Sequence, residues 1–202
     1  MVESRGEAVG STRPGHYGAR GSGVALAEAT IVSAWNVQGD PLRASFVGAA
    51  RRLFGVALPL IPCTTERADG LVALWLGPAS WLLVTGSALP LTDFAAKRDA
   101  LNDAGGALFD VSASRLAWTL SGPRAADVLA KGCPLDFHPR AFPPGTCAQS
   151  VYGHVNVLVE RPDVAPAFAL LAPRSFGRDT WHALCEASAP YGYGVMPPAA
   201  FR

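Results

Sequence analysis

Apolar and polar positions along this chain alternate in two rhythms, which predict hairpins interleaved with amphipathic helices. Residues 71–76 and 81–85 are apolar runs of strand length, and Gly77-Pro78-Ala79-Ser80 between them predicts a hairpin turn. Leu42, Phe46, Ala49, Ala50 and Leu53 recur at helical spacing. Asp40 is placed to cap that helix, Pro41 suits its first position and Gly55 closes it. A second helix is expected over residues 93–103, with Thr92 as cap. Phe94, Ala95, Arg98 and Leu101 mark its inner side, and Gly105-Gly106 stop it. Residues 107–112 and 115–120 read as strands, and Pro123 then opens a short helix that ends at Gly132. Four prolines make residues 133–145 a loop. Residues 147–152, 155–160 and 167–171 are strand candidates, and 175–187 is the last helix. From Pro190 onward the chain reads as irregular.

This order is an α+β layout with antiparallel sheets and packed helices. It lacks the strict βαβα alternation of a doubly wound nucleotide fold. Residues 1–23 are rich in Gly, Ser and Arg and show no periodicity. They are expected to be a tail, disordered or bound to a partner, with residues 24–202 as one domain. Gly18, Gly21 and Gly23 do not make a phosphate loop, since the order is not GxGxxG and no strand is expected before them.

Composition adds a constraint on the surface. Half of the 202 residues are hydrophobic and 16% are charged, which points to a surface partly covered by a partner. A net charge of +1 argues against gripping nucleic-acid backbones. No apolar stretch approaches the roughly 20 residues of a spanning helix. The N-terminus has no apolar core of the export type, so a cytoplasmic location is expected. Cys63, Cys133, Cys147 and Cys185 are widely spaced without a CxxC and read as reduced thiols.

Candidate chemistry is sparse. Cys133, His138, Cys147 and His154 are zinc-ligand types, but their gaps match no common finger or ribbon. No HExxH, GxSxG or paired-carboxylate motif stands out. Asp99 and Asp103, one helical turn apart, read as a solvated face. The five tryptophans, at 35, 75, 81, 118 and 181, are core residues or anchors at a protein interface.

Four ordered segments carry a resemblance. They are Trp75-Leu-Gly-Pro-Ala-Ser-Trp-Leu-Leu83; Asp110-Val-Ser112 followed by Leu120-Ser-Gly-Pro-Arg-Ala125 and Val128-Leu129; Gly132-Cys-Pro-Leu-Asp136 with Phe142-Pro143 and Gly145; and Arg174-Ser-Phe176 with Trp181. Over roughly residues 40–190 this set resembles the gamma subunit of heterotetrameric sarcosine oxidase. The second segment also resembles the wider aminomethyltransferase-like, folate-binding superfamily, where a DxS-type strand leads to a strand ending SGP and a short helix.

The resemblance implies an aminomethyltransferase-like fold. It implies a non-catalytic subunit working beside alpha, beta and delta partners, in a complex that oxidatively demethylates sarcosine to glycine. FAD, FMN, NAD and tetrahydrofolate are then expected in partner subunits, with zinc in the smallest; none is expected in this chain. Trp81, Arg174 and Phe176 are the interface candidates, with core packing the competing role for Trp81 and Phe176. Arg174 suits a partner carboxylate or a backbone carbonyl, because its planar fork fixes geometry. The rival readings are an independent folate-dependent transferase, or the same kind of subunit in another N-methyl amino-acid demethylase. A transferase needs an acidic group at a pterin-sized pocket, and Asp110 and Asp136 are the candidates.

Overall fold

The computed structural model describes residues 12–87, 92–162 and 167–201. Its elements, in chain order, are β1 (Gly15–Tyr17), β2 (Val24–Thr30), β3 (Ser33–Gly39), α1 (Ala44–Phe54), β4 (Thr65–Ala68), β5 (Leu71–Gly77), β6 (Ser80–Thr85), α2 (Phe94–Asp103), β7 (Gly106–Asp110), β8 (Arg115–Ser121), α3 (Ala125–Ala130), β9 (Thr146–Tyr152), β10 (Val155–Arg161), β11 (Ala167–Pro173), α4 (Gly177–Ser188), β12 (Tyr193–Val195) and β13 (Ala199–Ala200).

The strands sort into two sheets. The larger runs β1-β12-β2-β8-β11-β10-β9, with β13 added beside β2; the smaller runs β4-β5-β6-β3-β7. Every pairing is antiparallel except those of β12 and β13 with β2. Alternation gives each sheet two apolar faces. The outer face of the large sheet, with Trp118, Leu120 and Leu170, packs on α3 and α4 through Val128, Leu129, Trp181 and Leu184. The outer face of the small sheet, with Val37, Ala73, Trp81 and Leu83, packs on α1 and α2 through Phe46, Phe54 and Leu101. The two inner faces meet in a third cluster, where Ala117, Leu158, Ala169 and Leu171 press on Ala34, Val72, Leu74 and Leu82. The result is four layers, helix–sheet–sheet–helix.

The inner layer holds polar bolts as well as aliphatic contacts. Glu160, fully buried on β10, pairs with Arg67 on β4. Cys147 on β9 is buried, its thiol held against the carbonyls of Thr64 and Trp75. Gln149 on the same face donates from Nε2 to the Leu76 carbonyl at 2.7 Å. Three side chains of the large sheet thus reach backbone or side chain of the small one.

Several expectations change at element ends. Asp40 does not cap α1. Its Oδ1 accepts the amide of Leu42 at 2.9 Å and its carbonyl accepts that of Arg43, so Asp40-Pro41 forms a separate turn before the helix. That turn throws Leu42 outward, 91% exposed, and off the apolar face. Gly55 closes α1 in the left-handed conformation, as the pattern predicts. Thr92 is not the cap of α2; Asp93 holds that position at φ 56 without a side-chain cap bond. Phe94 and Leu101 turn inward, while Ala95 and Arg98 are exposed. The inner stripe is narrower than the sequence pattern implied.

The two chain ends differ most from expectation. Residues 1–11 of the expected tail lie outside the described residues. Residues 12–23 are not tail: β1 pairs with β12, Tyr17 stacks on Tyr193 at 5.6 Å, and Thr12 Oγ1 accepts the Trp181 indole N–H at 3.0 Å. The segment after Pro190, read as irregular, supplies β12 and β13. A Cβ at Gly18 would lie 2.5 Å from the Ala189 carbonyl, so the two segments meet backbone to backbone. Strands of two or three residues are too short to carry a period-two signal, which is why neither segment was legible.

Four outcomes follow. Glu160→Ala should lower stability by about 3 kcal/mol in urea denaturation, since the ion pair it makes with Arg67 across the inner layer is broken. Glu160→Leu combined with Arg67→Met should recover most of that loss. A chain starting at Val24 should melt several degrees below one starting at Thr12, because β1 and the aromatic stack are removed. Burial pushes the Cys147 thiol and the Tyr152 phenol up to about 12, from ordinary values of 9.0 and 10.0. Above pH 9 the unfolded chain therefore releases protons that the folded chain keeps, which favours unfolding. The urea midpoint should be insensitive to these two groups below pH 9 and fall between pH 9 and 12.

Candidate functional site

The Asp110-Val-Ser112 motif is the crossover between the sheets. β7 ends at Asp110 in the small sheet and β8 starts at Arg115 in the large one. Asp110 Oδ1 accepts the Ser112 amide at 2.9 Å and its hydroxyl at 2.6 Å, and the Ser112 Oγ accepts the Ala34 amide at 2.9 Å. The motif thus ties the crossover to β3. At the far end of β8, Gly122 stands at φ +106, and a Cβ there would lie 2.7 Å from the Gly23 carbonyl. Only glycine makes that turn without strain. Both motifs serve the fold's connectivity.

Beside the crossover the inner layer opens to solvent. Two adjoining cavities of about 360 Å³ each share Ser114, Arg115 and Gln149 in their walls. One extends along Ser150, Asn156 and Pro173 in the large sheet, the other along Asn36, Ser80 and Leu82 in the small one. Together they form a polar groove at the mouth of the layer. Sequence reading missed it because Arg115, Gln149 and Asn156 sit on three strands that only tertiary pairing brings together. The available signal was their parity: each lies two residues from an apolar inner-face residue, Ala117, Cys147 or Leu158.

The interface candidates fall in different places. Trp81 is fully buried under α1, its ring 5.8 Å from that of Phe46 and its indole N–H donating to the Pro59 carbonyl at 2.7 Å. It is a core residue and offers no surface to a partner. Arg174 is exposed, and its Nε donates to the Ala113 carbonyl at 2.8 Å, pinning the crossover loop. Phe176 is 40% exposed and meets His154 edge-on at 6.3 Å. Arg174 follows Pro173, which pairs with Arg115 across β11 and β8, so it stands at the groove's rim.

The remaining chemical candidates are dispersed. Cys133 packs in the outer cluster of the large sheet while Cys147 lies in the inner layer, so the four zinc-type residues are not gathered. Among the described residues no group of three or more metal-ligand side chains occurs. Asp136 Oδ1 accepts the His138 amide at 2.9 Å, so Asp110 and Asp136 are both engaged in local turns. No helix among the described residues is long and apolar enough to cross a membrane.

Comparison with known proteins agrees with this geometry. Residues 38–190 match the family described as "Sarcosine oxidase, gamma subunit family". The chain is 31% identical over 169 residues to the sarcosine oxidase subunit gamma of Corynebacterium sp. (strain P-1), spanning 83% of this chain and 81% of that one. It is 33% identical over 178 residues to that of Arthrobacter sp., spanning 86% and 84%. Among solved structures it is similar to a chain of the heterotetrameric sarcosine oxidase from Corynebacterium sp. U-96 in complex with pyrrole 2-carboxylate. That match has a TM-score of 0.73 and 29% identity, and covers 87% of this chain and 88% of that chain. It also shares its fold with the glycine cleavage system aminomethyltransferase T from Bartonella henselae, at TM-score 0.60 and 15% identity, over 88% of this chain and 48% of that one. The α+β architecture is thus aminomethyltransferase-like, and the chain belongs to the sarcosine oxidase gamma subunit family.

Proposed function

We propose that this chain is the non-catalytic gamma subunit of a heterotetrameric sarcosine oxidase-type complex, held beside alpha, beta and delta subunits in the cytoplasm. The observation that carries this reading is likeness to gamma subunits over more than four-fifths of the chain and of its relatives. The complex removes the N-methyl group of sarcosine oxidatively, leaving glycine, and passes the one-carbon unit to tetrahydrofolate. FAD, FMN, NAD and tetrahydrofolate are assigned to the partners, and zinc to the smallest subunit.

This chain's part is to present a rigid surface. Its four-layer core sets the crossover loop, and Arg174 holds that loop through Ala113 while its terminal guanidinium nitrogens have no partner among the described residues. Arg174 and Phe176 are assigned to the partner interface. Exposed Phe109, Leu60 and Ile61, at 49%, 57% and 69%, support a covered surface, since large apolar side chains in water favour association.

The test is size-exclusion chromatography with light scattering. Expressed alone, the chain should self-associate and carry no flavin absorbance. Co-expressed with flavin-bearing subunits, it should co-purify in fixed stoichiometry. A well-behaved monomer that ignores those subunits and turns over a folate substrate unaided would overturn this reading.

A further inference from the structure

Arg115 is a half-buried cation whose side chain has no partner among the described residues. Among the described residues only three arginines are not exposed: Arg67, Arg115 and Arg161. Arg67 pairs with Glu160, and Arg161 donates to the Phe142 carbonyl with its guanidinium over the Phe168 ring. Arg115 makes neither an ion pair nor a hydrogen bond from its side chain to any described residue. Burial pulls its guanidinium below the ordinary arginine range. A cation withdrawn from water without an anion is costly, and such a group in a cleft is a candidate functional residue.

The surroundings suit one kind of counter-charge. Arg115 stands where the two cavities join, among the hydroxyl and amide groups of Ser80, Ser114, Asn36, Gln149 and Asn156. The carboxylate nearest in sequence, Asp110, is already engaged by Ser112. Glu160, the carboxylate on the inner face of the large sheet, is engaged by Arg67. Next to the groove, Phe109 pairs directly with Asn36 across β7 and β3, so both project from the same face of the small sheet. β7 is the last strand of that sheet, which leaves Phe109 49% exposed at the rim. A desolvated arginine beside an exposed aromatic is the composition of an interface anchor, and both residue types are enriched there.

We infer that this groove is a docking seat for a partner subunit of the proposed complex. An aspartate or glutamate of the partner enters between the sheets and takes the Arg115 fork, while its apolar flank covers Phe109. The inference rests on the subunit reading above and adds to it a place and a chemistry. The planar guanidinium donates two parallel N–H bonds to a carboxylate, which a lysine at the same position cannot do.

The test compares co-expressed complexes carrying wild-type chain, Arg115→Met, Arg115→Lys, Arg115→Glu or Asn156→Asp. Asn156→Asp is nearly isosteric and places a competing carboxylate in the groove without removing Arg115. Dilute chains of all variants should melt at or above the wild-type temperature by circular dichroism, since no internal partner is lost. Arg115→Met should raise the Kd for the remaining subunits by about 30-fold or more, and Arg115→Glu further. Arg115→Lys should fall between wild type and Arg115→Met, and Asn156→Asp should weaken assembly while folding normally. Assembly of wild type should weaken with salt more steeply than that of Arg115→Met. If wild type assembles and all four variants assemble equally well, the seat is wrong and the subunit reading stands. If wild type itself never assembles, the subunit reading falls and takes the seat with it. If assembly is unaffected but millimolar glutarate raises the melting temperature of wild type and not of Arg115→Met, the occupant is a small carboxylate and docking is overturned. A lowered melting temperature in both Arg115→Met and Asn156→Asp, with assembly affinity unchanged, would make Arg115 a structural residue and overturn the seat as well.

Discussion

The ion pair between Glu160 and Arg67 is the contact on which the meeting of the two sheets depends. Glu160 is fully buried in an inner layer made mostly of Ala, Val and Leu side chains. A carboxylate there is tolerated only with its cation in place, because the fully buried Glu160 recovers none of its hydration in the folded state. Arg67 is on β4 at the edge of the small sheet, and Glu160 is on β10 in the large one. Sliding either sheet would separate them, so the pair fixes relative position where aliphatic packing alone is more permissive. Cys147 and Gln149 repeat the same device with weaker bonds to backbone carbonyls of the facing sheet.

Once the sheets are set, the crossover follows. The chain leaves the small sheet after β7 and enters the large one at β8, and the Asp110–Ser112 turn and Arg174 hold that passage in one conformation. The passage delivers Arg115 to the mouth of the layer. The dry middle of the layer and its polar mouth are therefore two ends of one construction. Aliphatic residues and a matched ion pair close it inside, and Arg115, Gln149, Ser80 and Asn156 line its open rim.

This division separates residues that hold the fold from those available to a partner. Trp81 has the composition of an anchor but is spent on α1, where it is fully buried and hydrogen-bonded to Pro59. Phe109 and Phe176 are aromatic residues left partly in water. A solved protein similar to this chain is part of a heterotetramer, and partly exposed aromatic side chains are of the type enriched at protein interfaces.

The sequence by itself determined the parts whose signal is local. The β5–β6 hairpin, the close of α1 at Gly55, the strand–turn–helix around Ser121-Gly122-Pro123 and the family resemblance are written in contiguous residues, because turns, caps and periodicity are short-range. The antiparallel α+β class followed from their order. The tertiary structure alone decided which strands share a sheet, that the segment after Pro190 adds β12 and β13 beside β2 with β1 from residues 12–23 beyond β12, and that Trp81 faces inward. It alone brought Arg115, Gln149, Asn156 and Asn36 into one groove. Those facts depend on pairings between residues as far apart as Gly15 and Val195. A strand of three residues carries too little apolar surface to announce its partner, and a polar side chain on an inner face reveals its role only when the opposite face is in place.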